Sequence, residues 1–313
     1  MLFTKQGDIL NHFFILVKIQ QEMIRNSFGS FLYITKEELY LNMSIDFTIS
    51  SNKKVSLKDF SPSDTDKLEK KDIQEKYSTL QERFIELQEV FSASKKFSLL
   101  IILQGMDCSG KDSTVKKALA GLNPNGFVVQ SFKQPTLEEL GHDYLWRAHK
   151  ATPIKGSITV FNRSYYEDVL VTRVHKTIDD QTALARFKEI TEFEKYLVSN
   201  GTIVLKFFLH ISKEFQQKKL LSRLETPEKH WKFSMADLAE RKFWDKYQKF
   251  YADMLSNCGT EQAPWYIVPS DHRWFRDFII LERIVTTLED LKLEYPALNG
   301  TIAELIKEVK ESN

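Results

Sequence analysis

Leu99-Leu100-Ile101-Ile102-Leu103-Gln104-Gly105-Met106-Asp107-Cys108-Ser109-Gly110-Lys111-Asp112 is the stretch that decides the fold. Its opening apolar run reads as a strand buried on both faces, the habit of a parallel sheet covered by helices on each side. Gly105 to Lys111 then has the Gly-x-x-x-x-Gly-Lys spacing of a phosphate-cradling loop, and Ser113 to Leu119 reads as helix. Strand, loop and helix in that order give the spacing its meaning. Loop N–H groups converge on phosphate oxygens, the helix N-terminus adds its positive dipole, and Lys111 adds a point charge. A glycine-containing turn with an incidental lysine is the plainer alternative, and the strand before it weighs against that. Asp112 stands where an ordinary nucleotide-triphosphate loop has Ser or Thr to hold magnesium, and Asp107 lies inside the loop. Two carboxylates beside a phosphate site repel the phosphate unless a cation lies between them. Asp107 therefore reads as a Mg²⁺ ligand, whereas Asp112 also fits as a helix N-terminal acid favoured by the dipole.

Outward from this stretch, further strands are expected at 127–132, 157–161, 202–210 and 265–269. Helices are expected at 63–93, from a capping box at Thr136 toward His149, at 179–199, from Ser234 onward and after Arg273. Within 179–199 the stripe is Leu184, Phe187, Ile190, Phe193 and Leu197. This alternation predicts one doubly wound α/β domain with a parallel sheet. Its strand C-termini, and so the loop, would line one edge. Residues 1–50 lack this periodicity and read as an N-terminal extension that the 51–313 domain does not need.

The 313 residues are 42% apolar and 28% charged, and 44 Lys plus Arg face 43 Asp plus Glu for a net charge of +1. A near-neutral chain is no bulk nucleic-acid binder, so a polyanion site must be a local basic patch. No apolar run reaches the length of a membrane span. Two cysteines, one of them inside the loop, suit a reducing compartment, and the cytoplasm is the expected location.

A second constellation is Phe161-Asn162-Arg163-Ser164-Tyr165-Tyr166-Glu167-Asp168, a strand ending in a charged turn. Arg163 suits bidentate phosphate contact, and Asp168 suits magnesium or the orientation of an attacking phosphate; a salt-bridged turn is the plain alternative. A basic segment (Lys213, Lys218, Lys219, Arg223, Lys229, His230, Lys232) reads as a lid over phosphates or as a solvated face. Lys133, Arg147, Arg173 and other cations near strand ends suggest a channel for a polyanion longer than one nucleotide. The histidines show no metal-type spacing.

These motifs, with Ser131-Phe132-Lys133-Gln134-Pro135, His142-Asp143-Tyr144-Leu145-Trp146-Arg147, Pro227-Glu228-Lys229-His230-Trp231-Lys232 and Ala263-Pro264-Trp265-Tyr266, resemble the polyphosphate kinase 2 family from about Lys54 to Pro296. That family also carries Asp after the loop lysine. The resemblance implies a phosphate-loop kinase fold similar to thymidylate kinases, with a helical lid around 212–233. It implies phosphoryl transfer between inorganic polyphosphate and a nucleotide (AMP, ADP or ATP), with Mg²⁺ as cofactor. Residue by residue, it implies catalytic roles for Asp107, Lys111, Asn162, Arg163 and Asp168, with Asp107 and Asp168 toward the metal. Gly105, Gly110, Lys133, Arg173 and Arg223 are expected at the bound phosphates. Asn162 with Glu167-Asp168 resembles the subclass that accepts AMP as well as ADP. Inorganic polyphosphate and adenine nucleotides are thus the expected partners, with no nucleic acid and no membrane, and a homo-oligomer is expected. An ATP-dependent nucleoside monophosphate kinase and a catalytically silent nucleotide-binding module are the alternatives.

Overall fold

The computed structural model describes residues 47–50, 53–298 and 300–312. Most of the expected N-terminal extension, residues 1–46, lies outside the described residues. A six-stranded sheet has the order β1-β6-β5-β2-β4-β3. The strands are β1 (Thr48–Ile49), β2 (Ser98–Gln104), β3 (Phe127–Ser131), β4 (Ile158–Asn162), β5 (Thr202–His210) and β6 (Trp265–Pro269). Every pairing is parallel except β1 with β6. The short β1 falls inside the 1–50 segment that the sequence reading sets apart. It is fixed there because Phe47 is buried edge-on to Phe275 and its carbonyl accepts from Ile267 N–H at 2.8 Å.

All seven residues of β2 are buried, which fits its place at the centre. Side chains alternate across a strand. Leu100 and Ile102 accordingly join the core beneath α5 (Glu167–Val174), α6 (Asp180–Ser199) and α9 (Trp244–Cys258), which pack on one another. Leu99, Ile101 and Leu103 alternate to the other face, where α1 (Lys70–Ser94), α2 (Lys111–Ala118) and α10 (Arg273–Asp290) form a second layer. The smaller helices are α3 (Leu137–Leu140), α4 (Trp146–Lys150), α7 (Lys213–Glu225), α8 (Met235–Arg241) and α11 (Ile302–Glu311).

Four expectations about helices are corrected. The 63–93 helix starts only at Lys70, because Asp66 and Lys67 take left-handed φ values of 49° and 63°. The helix from Thr136 splits in two. Gly141 caps α3, and the Asp143 carboxylate accepts from Leu145 N–H at 3.0 Å to begin α4. Ser234 caps Ala236 N–H rather than Asp237, and the helix expected from Ser234 onward divides into the short α8, which ends at Arg241, and the separate α9. Leu184 is exposed, and Ala183 takes the buried position on α6.

Parallel pairing is what places the site. Leu103 lies opposite Asn162 on β4, and Gln104 lies opposite Phe208 on β5. The phosphate-type loop and the Asn162–Asp168 turn therefore leave the same sheet edge side by side. Arg163 N–H donates to Leu103 O at 3.0 Å across the gap.

Candidate active site

The loop between β2 and α2 closes around two glycines that side chains could not replace. At Gly105 (φ +149°) a Cβ would stand 2.7 Å from Leu209 O. At Gly110 (φ +100°) it would stand 1.8 Å from the Arg276 guanidinium. Arg276, from α10, is 1% exposed and holds the loop from behind. It donates to Ser109 O at 3.0 Å and Ser113 Oγ at 2.8 Å, with Asp277 as its counter-ion at 2.6 Å. Because a side chain is strained at Gly110's positive φ and its Cβ would meet the buried Arg276 guanidinium, Gly110→Ala is expected to lower stability by about 1–3 kcal/mol. Urea unfolding should show this as a lower midpoint at unchanged slope.

Lys111 is the first residue of α2 and is almost fully buried. Its ammonium turns back across the loop and donates to Gly105 O at 2.8 Å and Met106 O at 3.2 Å. Burial pulls its pKa down and Arg163 adds to that pull, while Asp107, Glu167 and Asp112 oppose it. The turn after β4 clasps both loop aspartates. Arg163 donates to Asp107 Oδ1 at 2.5 Å, and Asn162 Nδ2 donates to Asp112 Oδ1 at 2.5 Å. Asp112 is thus both an acid in the first turn of α2 and a tie to β4. Burial works to lower the Arg163 pKa, but Glu167 and Asp107 outweigh it and hold the value above that of free arginine. Glu167 itself is pushed up by burial, against the pull of Arg163 and Lys111. Burial also pushes the Cys108 thiol up to about 11, which makes it a poor nucleophile.

The loop opens into a cavity of about 630 Å³. Nine lysine and arginine side chains line it, against two carboxylates, Asp107 and Asp112. Lys111, Arg163, Arg273 and Arg276 come from the floor, and Lys133 from the end of β3. The segment expected as a lid supplies Lys219 and Arg223 from α7, then Lys229 and Lys232 from the following turn. Arg223 is held by Asp237 Oδ2 at 2.7 Å and by Lys232 O at 3.0 Å. Gln216 Nε2 joins α7 to the loop through Asp107 O at 3.0 Å.

Of the residues expected at the site, Asp107, Gly110, Lys111, Lys133, Asn162, Arg163 and Arg223 line this one cavity, and Gly105 shapes the loop behind it. Two do not join them. Arg173 pairs with Asp180 at 2.7 Å and Asp253 at 3.1 Å and stacks 3.9 Å over the Phe250 ring, because it projects from the end of α5 toward α9. Asp168, expected beside Asp107, lies 3.5 Å from Arg147 instead, whereas Glu167 faces Lys111 and Arg163. A helix turns about 100° per residue, so neighbours on α5 cannot both face the loop. Arg276, Arg273 and Gln216 were not foreseen. For Arg276 a signal was present: an arginine inside the apolar run of α10, a position that burial tolerates only with partners.

A family model, polyphosphate kinase 2 (PPK2), matches residues 67–296. The AMP/ADP-polyphosphate phosphotransferase of Meiothermus ruber is 43% identical over 252 residues, which cover 80% of this chain and 94% of that protein. The ADP-polyphosphate phosphotransferase of Rhodopseudomonas palustris is 44% identical over 227 residues, covering 69% and 78%. The crystal structure of polyphosphate kinase 2 from Arthrobacter aurescens TC1 superposes with a TM-score of 0.80 at 36% identity, over 84% of this chain and 98% of that one.

Proposed function

The chain belongs to the polyphosphate kinase 2 family, and on that premise we propose that its cavity transfers phosphoryl groups between inorganic polyphosphate and the nucleotides AMP and ADP. One observation carries the reading: nine cations and two carboxylates line the cavity around a phosphate-type loop, and the excess stays positive with Asp277 paired to Arg276 and Asp237 to Arg223, in a protein whose net charge is only +1. So much positive charge around one cavity suits a substrate with a long row of phosphates.

Phosphoryl transfer passes through a loose transition state, so positioning and charge compensation do most of the work. The loop N–H groups and the α2 N-terminus cradle the transferred phosphoryl group as in a phosphate-loop kinase. Lys111 exchanges the Gly105 and Met106 carbonyls for phosphate oxygens. Arg163, already oriented by Asp107, takes charge from the equatorial oxygens. The lid cations hold the rest of the chain. A terminal nucleotide phosphate oxygen attacks the end phosphorus of polyphosphate as the P–O bond to the shortened chain breaks. The attacking oxygen is already anionic, so no side chain has to remove a proton.

Mg²⁺ fits the donor set in part. It is held by one or two carboxylates together with substrate phosphates rather than by an all-protein cage, and Asp107 is a cavity-lining carboxylate of this kind. Bound there, Mg²⁺ would neutralise charge shared between donor and acceptor phosphates. The described residues contain no cluster of three or more His, Cys, Asp or Glu suited to a metal. The free thiols of Cys108 and Cys258 support a cytoplasmic location, and no described helix is long and apolar enough to cross a membrane.

Incubation of the protein with AMP, polyphosphate and Mg²⁺ is expected to yield ADP and then ATP, resolved by anion-exchange chromatography. Conversion of ADP alone would remove AMP from the acceptor range. Turnover with ATP as donor and none with polyphosphate would make the protein a nucleoside monophosphate kinase instead.

A further inference from the structure

We infer that Asp168 is a positioning residue that acts through Arg147 on the Lys133 wall of the cavity, and not a ligand of the metal. The inference rests on the functional reading above. It starts from a sequence motif that the mechanism leaves unused, His142-Asp143-Tyr144-Leu145-Trp146-Arg147.

Arg147 projects from α4 and its side chain is 8% exposed. Its NH1 donates to Lys133 O at 2.9 Å and lies 3.6 Å from Glu139 Oε2 on α3. Its NH2 lies 3.5 Å from Asp168 Oδ2 on α5, and the guanidinium stands 5.3 Å from the centre of the Phe132 ring. One side chain thus ties the Lys133 backbone to two helices and to the end of β3. A buried guanidinium needs counter-charge to stay in place, and Asp168 is the more buried of its two carboxylates.

The backbone of Asp168 is itself fixed. Its carbonyl accepts from Arg186 NH1 at 2.8 Å and from Thr172 Oγ1 at 2.6 Å. Arg186 also packs 4.5 Å over the Tyr144 ring, and Tyr144 OH donates to Glu189 at 2.8 Å. The segment from Lys133 to Lys150 is therefore docked on α5 and α6 at two points. Lys133 lines the cavity and Asp168 does not. Arg147 is the contact that carries the Asp168 carboxylate to the Lys133 backbone. The pair is also loose. At 3.5 Å it is longer than a charge-assisted hydrogen bond, and Asp168 Oδ2 accepts no hydrogen bond from the described residues.

The test uses the full chain and compares Lys133→Ala, Arg147→Gln and Asp168→Asn. Initial rates are measured with nucleotide, polyphosphate and Mg²⁺ each varied, and calorimetry measures binding of ADP and of polyphosphate without turnover. Asp168→Asn and Arg147→Gln are expected to raise the KM and Kd of whichever substrate Lys133→Ala weakens, on the order of tenfold, the scale of a small misplacement. The half-saturating Mg²⁺ concentration should stay at the wild-type value. The Asp168→Asn, Arg147→Gln double variant should be no worse than Arg147→Gln, because the two act as one unit. Asp168→Glu, which keeps the charge, should recover part of the loss. A raised Mg²⁺ requirement in Asp168→Asn overturns the inference, as does an unchanged Kd where Lys133→Ala and Arg147→Gln both weaken binding. If Asp168→Asn does not fold, Arg147→Lys decides. It keeps a positive charge for Asp168 but cannot span to Lys133 O, so wild-type binding in that variant overturns the inference. Lack of wild-type turnover with polyphosphate would count against the functional reading, and the binding measurements judge Asp168 separately.

Discussion

Lys111→Ala is expected to lower turnover by about two orders of magnitude or more, the scale of removing one preorganised charge from a transition state. The structure explains why so much rests on one side chain. In the free loop the ammonium is almost fully buried and bonded to Gly105 O and Met106 O, so little reorganisation is needed when phosphate oxygens take their place. No second lysine within the loop can substitute. Arg163, whose charge bears on Lys111, is committed to Asp107 and Glu167. Truncation also leaves two loop carbonyls without a donor, so a structural loss has to be separated from a chemical one. Thermal unfolding and initial rates with ADP and polyphosphate do this together. A fall in kcat much larger than any change in melting temperature marks transition-state charge stabilisation, whereas near-normal turnover in the folded variant would sink the assignment.

The phosphate-type loop was legible because its requirements are local. A buried strand, two glycines at positive φ and one lysine all fall within fourteen consecutive residues. The parallel sheet was legible for a similar reason, since β2 carries five consecutive apolar residues and β5 six among its nine. The clasp of Asn162 and Arg163 on the two loop aspartates depends on register between β2 and β4, which only the folded sheet supplies. Sequence could place those residues at a strand end but could not say which carboxylate each would hold. Asp168 shows the limit more sharply. It stands next to Glu167, yet one residue of helical rotation sends it to Arg147, which is distant in the chain and carries no signal of that pairing. Arg173 went astray for the same reason: a cation after a strand reads as a phosphate contact until α9 brings Asp253 and Phe250 against it. Thr48–Ile49 could not be read as a strand because two residues carry no periodicity, and antiparallel pairing with β6 alone defines them.

The Asn162–Asp168 turn has to hold Arg163 on one side and Glu167 on the other, and what fixes it lies beneath the sheet edge. Tyr165 and Tyr166 between them are fully buried, and both hydroxyls donate to Glu194 Oε1, at 2.8 and 2.7 Å. The other carboxylate oxygen of Glu194 takes Lys206 Nζ at 2.6 Å, and Lys206 also donates to Cys258 O at 2.6 Å with the Trp265 ring 5.1 Å away. Both charges are essentially without solvent exposure. Such a pair adds little net stability over a well-packed apolar substitute, but breaking it strands a buried charge. Lys206→Met should therefore destabilise the protein by about 3–5 kcal/mol, on the order of 10 °C in melting temperature for a domain of this size. The double variant Lys206→Met, Glu194→Gln, which removes both charges and keeps a partner for the tyrosine hydroxyls, should recover most of that loss. Urea unfolding of the two variants against wild type measures both. If the pair only fills space, the single variant will lose less than about 1 kcal/mol and the double variant will be no better. If it anchors the turn, what the double variant regains in stability should come with restored phosphoryl transfer, since Tyr165 and Tyr166 lie in the chain between Arg163 and Glu167.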